Sequence, residues 1–306
     1  MLIIGSRGSQ LALWQAHWIQ GRLEELGQPS RVEIIKTTGD RITDVSLSQV
    51  GSQVGSKGLF TKEIEDALLA GAIDLAVHSL KDMPTELPAG LKLTAIPERE
   101  DPRDALIGRT LSSLAKGARV GTGSLRRAAQ LRALRPDLQI EDIRGNVDTR
   151  LRKLDDGSYD AIVLASAGLR RLGWEHRITE LFDPGIMCPA VGQGALAVET
   201  RDDDSAGVRA AQCLEHAGTR AAVTAERAVL ARLGGGCQAP MGAHAFIQDH
   251  SLFLLALIVS PDGLQVVRKE SQGAVADAES LGCKLAEHLL AEGGKQILDA
   301  VYGANA

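Results

Sequence analysis

Cys237 stands in Gly234-Gly235-Gly236-Cys237-Gln238-Ala239-Pro240, a loop whose glycines remove every Cβ on one side and whose proline stiffens the exit. A thiol presented this way can lie close to something bulky. The run from Thr219 to Leu233 has helical spacing, so Cys237 follows a helix C-terminus, where the dipole by itself does not favour a thiolate. That setting suits a covalent attachment point better than a redox centre. For the segment alone, an incidental small residue in a glycine-rich helix cap is the competing reading. Cys188, Cys213 and Cys283 lie far apart in sequence, with no Cys-x-x-Cys and no histidine at ligand spacing, so no zinc site, metal centre or redox pair is expected.

A second set of residues is suited to anions. Gly121-Thr122-Gly123-Ser124-Leu125-Arg126-Arg127 follows a strand and opens a helix, so backbone N–H groups, Ser124 and two guanidinium groups can face one negative ligand. It is not a P-loop, because the closing Gly-Lys-Ser/Thr is missing. Arg144-Gly145-Asn146-Val147-Asp148-Thr149-Arg150 repeats the arrangement one βα unit later. From Arg119 to Arg152 there are eight arginines, no lysine and four acids, which points to planar, bidentate recognition of carboxylate or phosphate. About half of these arginines are expected on solvated helix faces, since arginine is mostly an exposed residue.

His78-Ser79-Leu80-Lys81-Asp82-Met83-Pro84 also ends a strand, and it sets a carboxylate beside a cation. Asp82 in that position can stabilise a cationic intermediate or exchange protons with it. A solvated Lys81–Asp82 pair is the plainer alternative. His78 reads as a satisfied core histidine rather than a catalytic one.

The elements that must position these groups follow from the apolar pattern. With 306 residues and 44% hydrophobic content the chain can bury two or three ordinary cores, and with only 3% aromatic residues those cores are aliphatic. Strands are predicted at 2–5, 32–38, 74–78 and 91–96, with helices at 9–26 and 61–70 between them. Residues 39–58, rich in glycine and hydroxyl side chains, read as a long loop of the kind kept for function. The charged, proline-bracketed Pro97 to Arg103 reads as a linker. A second alternation follows, with strands at 119–122, 138–143 and 160–165 and helices at 124–134 and 147–154. Cys188 to Gly194 then leads into a strand at 195–199, as if the chain returned to its first domain. After about residue 217 the pattern becomes one helix, strands at 241–247, 252–260 and 264–270, and an amphipathic helix at 275–293.

The fold class is therefore α/β, with two mainly parallel lobes and a small C-terminal α+β domain. The expected division is 1–98 with 195–215, then 99–194, then 216–306. Ligands of two-lobed proteins of this kind bind at strand C-termini and helix N-termini. A formal charge of −5 excludes a general nucleic-acid binder. The start Met1-Leu2-Ile3-Ile4-Gly5-Ser6-Arg7 is strand-like rather than a secretory signal, and the apolar run 252–259 is too short to span a bilayer, so a cytoplasmic protein with no membrane partner is expected.

Taken in order, these segments resemble the porphobilinogen deaminase family, also called hydroxymethylbilane synthase. The resemblance covers essentially the whole chain: Arg7 through Trp14-Gln15-Ala16, Lys57 to Glu63, His78 to Pro84, Glu98 to Asp104, the two arginine segments, Pro189 to Gly194, and Gly235-Gly236-Cys237-Gln238. It implies three domains, two of them like periplasmic binding protein lobes. It further implies a dipyrromethane cofactor held by a thioether to Cys237, onto which four porphobilinogen units are added head to tail with loss of ammonia before the linear hydroxymethylbilane is released by water. On this resemblance Asp82 matches the catalytic aspartate. Ser9, Lys81, Asp82, Thr122, Ser124, Arg126, Arg127, Arg144 and Gly145 would hold the cofactor, Arg7, Arg150, Arg171 and Gln193 would contact substrate, and the enzyme would be a monomer. The chain departs from the family at Gly123, where serine is common, and at Gln49 and Gln53, where relatives often have lysine in a loop that here doubles Ser-Gln-Val-Gly. A non-catalytic two-lobed anion binder, or a transferase using Cys237 as a transient nucleophile, would each explain only part of these features.

Overall fold

The computed structural model describes residues 1–38, 61–203, 205–234 and 240–303. Cys237, residues 46–56 and Lys57 to Phe60 lie outside the described residues. The chain forms two compact units, one made of 1–100 and 195–220 and the other of 101–194 and 221–306.

The walk begins with β1 (Leu2–Ser6), α1 (Gln10–Glu25), β2 (Ser30–Ile34), α2 (Lys62–Leu69), β3 (Leu75–Ser79) and β4 (Leu91–Ala95). It continues through β5 (Asp104–Ile107), β6 (Arg119–Gly121), α3 (Leu125–Leu134), β7 (Gln139–Glu141), α4 (Val147–Asp155), β8 (Ala161–Ala165), α5 (Ser166–Arg171) and β9 (Glu180–Leu181). Then come β10 (Leu196–Arg201), α6 (Ala206–Gln212), α7 (Ala217–Arg232), β11 (Met241–Gln248), β12 (Ser251–Val259), β13 (Val266–Ala274), α8 (Ala278–Leu289) and α9 (Lys295–Gly303).

In the first unit the strand order is β2-β1-β3-β10-β4. β1 is parallel to β2 and β3, while β10 runs antiparallel to both β3 and β4. β3 is apolar on both faces, as a central strand must be: Leu75 and Val77 join Ile4, Ile19 and Leu23 on one side, and Ala76 joins Ile64, Leu68 and Ile73 on the other. Residues 15, 16, 19 and 23 form the buried stripe of α1, at the spacing that gave the helix away in the sequence.

The second unit holds a sheet of order β7-β6-β8-β5-β9, with β6 parallel to β7 and β8, and β5 antiparallel to β8 and β9. In both five-stranded sheets four strands run one way. The strand that opposes them is the one entered just after the chain crosses between units, β10 in one and β5 in the other. The α/β class with mainly parallel lobes is thus what the chain adopts. A separate antiparallel sheet, β11-β12-β13, completes the unit. Leu252, Leu254, Ala256 and Ile258 of β12 pack with α7 and α8, while Leu255, Leu257 and Val259 pack with Ala129 and Cys188.

Two sequence expectations change in detail. The helix expected over 275–293 ends at Leu289 and a new one starts at Lys295, because Gly293 takes φ +107°, a value that favours glycine and breaks the helical run. The strand expected over 32–38 also lies earlier, as β2 ends at Ile34.

Candidate active site

Parallel neighbours deliver their C-terminal ends to one edge, and each unit uses that edge to gather polar groups. In the first unit Arg7 follows β1, and Ser9 caps α1 by accepting a hydrogen bond from the Ala12 N–H at 3.3 Å. Beyond β3 the chain makes a 3₁₀ turn over Leu80–Asp82. Its flanks are anchored: the Leu80 N–H donates to the Ala195 carbonyl at 3.0 Å, the Met83 N–H donates to the Leu80 carbonyl at 3.0 Å, and both side chains are buried. Between the anchors the chain turns outward, leaving Lys81 half-buried and Asp82 exposed. Gln15 secures the strand end from α1, donating from Nε2 to Ser79 Oγ at 2.9 Å.

His78 is not part of that exposed group. Its Nε2 lies 2.9 Å from Glu199 Oε2, both side chains are buried, and the pair ties β3 to β10. Glu65, also buried, has its carboxyl pushed above the usual range by desolvation, with the charge of Glu199 adding to the effect.

In the second unit β6 and β7 end side by side. The Thr122 N–H donates to the Glu141 carbonyl at 2.9 Å, Thr122 Oγ1 accepts from the Ser124 N–H at 3.3 Å, and Ser124 Oγ caps α3 by accepting from the Arg127 N–H at 3.5 Å. Thr122 and Ser124 therefore shape the turn with their hydroxyls. Gly145 takes φ +106°, and Arg150 Nε donates to its carbonyl at 2.8 Å. Arg144 Nε donates to Asp142 Oδ2 at 2.6 Å. At Gly123 a Cβ would lie 2.8 Å from the Ile143 carbonyl oxygen, so the missing side chain is what lets the two strand ends approach this closely.

Arg126 and Arg127 sit at the start of α3 and are almost fully buried. Both turn to one carboxylate, Asp104, which leads β5 and is itself wholly buried. Arg126 Nη1 donates to Asp104 Oδ2 at 2.7 Å, and Arg127 Nε donates to Asp104 Oδ1 at 2.9 Å. Burial alone would raise the Asp104 pKa, but the two guanidinium groups hold it far below the ordinary carboxylate range. Arg126 also donates to the Cys188 carbonyl, and Arg127 Nη1 to the Val163 carbonyl at 3.2 Å. Cys188 is a core thiol whose pKa burial pushes up to about 12, which removes it as a nucleophile.

Arg171 and Gln193, expected at the substrate, are both buried and bond to backbone where the chain crosses. Arg171 Nη2 donates to the Gly194 carbonyl at 2.7 Å, and Gln193 Nε2 donates to the Pro102 carbonyl at 2.6 Å. Of the eight arginines between 119 and 152, four serve elsewhere. Arg119 donates to the Gly157 carbonyl, Arg132 to the Pro261 carbonyl, Arg135 pairs with Asp137 and Arg152 with Asp148.

Four buried acids escaped the sequence reading, Glu65 and Glu199 in the first unit and Asp104 and Glu226 in the second. Asp104 heads an otherwise apolar strand, Ala105-Leu106-Ile107, shortly before the arginine-rich stretch. Glu226 sits on the apolar stripe of α7 among Ala222, Ala225 and Val229, where it accepts the Gly192 N–H and the Ala245 N–H, each at 2.7 Å. An acid on a buried stripe is the available signal, because such a group must find donors.

Residues 2–209 match the family model described as porphobilinogen deaminase, dipyromethane cofactor binding domain, and residues 220–291 match porphobilinogen deaminase, C-terminal domain. The chain belongs to the porphobilinogen deaminase family. It is a transferase. Its curated relatives named porphobilinogen deaminase include one from Trichlorobacter lovleyi, 54% identical over 98% of this chain and 96% of the relative. Another, from Pelobacter propionicus, is 52% identical over 98% and 97%, and one from Roseiflexus sp. is 53% identical over 97% and 98%. This full-length likeness favours the family's enzyme over a non-catalytic anion binder. Among solved structures, a methionine binding protein is 13% identical with a TM-score of 0.44, covering 70% of this chain and 89% of its own. Among the described residues no helix is long and apolar enough to cross a membrane.

Proposed function

We propose that this chain condenses four porphobilinogen molecules head to tail on a dipyrromethane bound through Cys237, losing ammonia at each step, and releases hydroxymethylbilane by hydrolysis. The carrying observation is the contrast between the two strand-end groups: an exposed carboxylate, Asp82, on a turn pinned at both flanks, and a set of arginines around the starts of α3 and α4.

The donors fit a ligand with several carboxylates. Arg126 commits three of a guanidinium's five N–H groups to Asp104 and Cys188, leaving Nε–H and one Nη2–H without a partner among the described residues. Arg144 follows β7, the neighbour of β6 in the sheet, and its side chain is about a third exposed. When bound, the dipyrromethane supplies a free pyrrole α-carbon as the nucleophile of each condensation. Arg126, Arg127 and Arg144 would neutralise and orient its carboxylates, beside the turn that Thr122 and Ser124 shape and the Gly145 backbone. Ser9 and Lys81 add donors at the edge of the first unit. Asp82 would accept hydrogen bonds from pyrrole N–H groups, oppose the positive charge that develops as ammonia leaves, and carry the proton lost from the attacking α-carbon. Arg7 and Arg150 take the acetate and propionate of the incoming porphobilinogen. We place this chemistry on a monomer of three domains in the cytoplasm.

Intact-protein mass tests the attachment. The wild type should carry a stable dipyrrole adduct and colour with Ehrlich's reagent, whereas Cys237→Ser should fold, lack the adduct, stay colourless and be inactive. A covalent dipyrrole on the Cys237→Ser protein would overturn the assignment.

A further inference from the structure

Two guanidinium groups in adjacent positions repel each other, and burial makes that repulsion stronger. Arg126 and Arg127 are 4% and 6% exposed, yet both remain within one small space. Asp104 is what brings them together, with 0% exposure and bonds to each. Gln193 completes the arrangement. Its Nε2 donates to Asp104 Oδ1 at 2.9 Å and to the Pro102 carbonyl at 2.6 Å, so its Oε1 is left to accept from Arg127 Nη2 at 3.3 Å. The amide can adopt only one orientation there, since a flipped amide would set its oxygen against a carboxylate and a carbonyl.

The trio of Asp104, Arg126 and Arg127 keeps one net positive charge, and Gln193 fixes where the Arg127 fork lies relative to Asp104. The segment that carries Gln193 is held in turn, because the Gly192 N–H donates to the buried Glu226 on α7. Val191 packs in the same core as that helix.

We propose that Asp104 and Gln193 are positioning residues for the arginine pair, acting through Arg127 on the binding of the dipyrromethane's carboxylates. This rests on the reading above that Arg127 binds those carboxylates. Gln193 is accordingly not a substrate contact but the clamp behind one.

A double-mutant cycle tests it, using Gln193→Met, which keeps length and removes the amide, and Arg127→Lys, which keeps charge and removes the fork. Two quantities are read on folded, purified protein: the fraction of chains carrying the dipyrrole by intact mass, and KM against kcat for porphobilinogen. Each single variant should lower the adduct fraction and raise KM about tenfold with kcat changed by less than about threefold, and the double variant should fall within about twofold of Arg127→Lys, because interacting residues are not additive. A purely structural Gln193 would instead lower the melting temperature without moving KM, and its effects would add to those of Arg127→Lys; either result overturns the proposal. If Arg127→Lys alone matches the wild type, the reading of Arg127 itself fails. If Arg127→Lys is impaired and Gln193→Met is not, that reading stands and the positioning role fails. Should Gln193→Met not yield soluble protein, Gln193→Asn, which shortens the clamp by one methylene, enters the same cycle with the same criteria. Asp104→Asn, compared in the wild-type and Arg127→Lys backgrounds, must show the same loss of additivity or the role of Asp104 falls.

Discussion

The exposure of Asp82 follows from its neighbours. Leu80 and Met83 are apolar and buried, so a turn of only three residues has to present what lies between them to solvent. A carboxylate held on such a turn is already oriented when charge develops nearby, and an interaction of that kind counts more in the transition state than in the ground state. Asp82→Asn should therefore keep its dipyrrole, measured by intact mass, while turnover falls by roughly 10² to 10⁴, the range expected when charge stabilisation and proton transfer are both lost. Turnover within a few-fold of wild type would move the catalytic role to another residue. Much of this was legible beforehand, because Leu-Lys-Asp-Met after a strand shows which side chains must turn inward. The arginines were only half legible. Their number and the absence of lysine pointed to an anion, but nothing in the one-dimensional pattern tells that Arg126 and Arg127 converge on Asp104, more than twenty residues upstream, while Arg135 finds a partner two residues away. Cys237, the residue most prominent in the sequence, lies outside the described residues.

Between single residues and the whole chain, the working piece is the strand–turn–helix. Ser9 and Ser124 each cap the helix that follows a strand; the sequence placed Ser124 where a helix opens, but as a group facing an anion rather than as a cap. What the sequence could not show is how close two such turns come. The Gly123 backbone lies against the end of β7, and the Ile143 carbonyl occupies the space a side chain would need. Because the obstructing atom is backbone, it cannot swing aside as a side-chain tip can. Gly123→Ser, although it restores the family's common residue, should cost about 1–3 kcal/mol of stability as an overpacked site, seen as a lower melting temperature by calorimetry. A neutral or stabilising effect would mean that the β6 and β7 ends separate easily. A long, periodic element such as α1 was readable for the usual reason that burial repeats along it, at Gln15, Ala16, Ile19 and Leu23. The short β5 and α5 were not, since four to six residues hold too little of any period.

At the scale of the molecule, the two units rest on differently poised acids, and acid should separate them. Against the effect of burial, Arg126 and Arg127 hold Asp104 far below the range of an unfolded carboxyl, and Arg103 likewise lowers Asp101. For such a group the unfolded chain takes up a proton first as pH falls. Its stabilisation is therefore fully present above about pH 5 and is lost progressively below about pH 4, where the unfolded aspartate titrates. Arginine stays charged throughout, so nothing offsets the loss. The first unit differs. Glu65 is raised by desolvation, so the folded state binds its proton first and gains stability on acidification, which opposes the loss at Glu63, where a hydrogen bond from Thr38 outweighs burial. Trp14 and Trp18 lie in the first unit and Trp174 in the second, which gives each a fluorescent reporter. With Trp174→Phe the signal follows the first unit, and with Trp14→Phe and Trp18→Phe together it follows the second. Between pH 6 and pH 3.5 the urea midpoint of the second unit should fall further than that of the first, and Asp104→Asn should remove most of the difference. Equal shifts in both reporters would mean that the units unfold as one cooperative block or that Asp104 does not dominate the acid response. A larger fall in the first unit would place the acid-sensitive pair elsewhere, in conflict with the burial of Asp104 between two arginines.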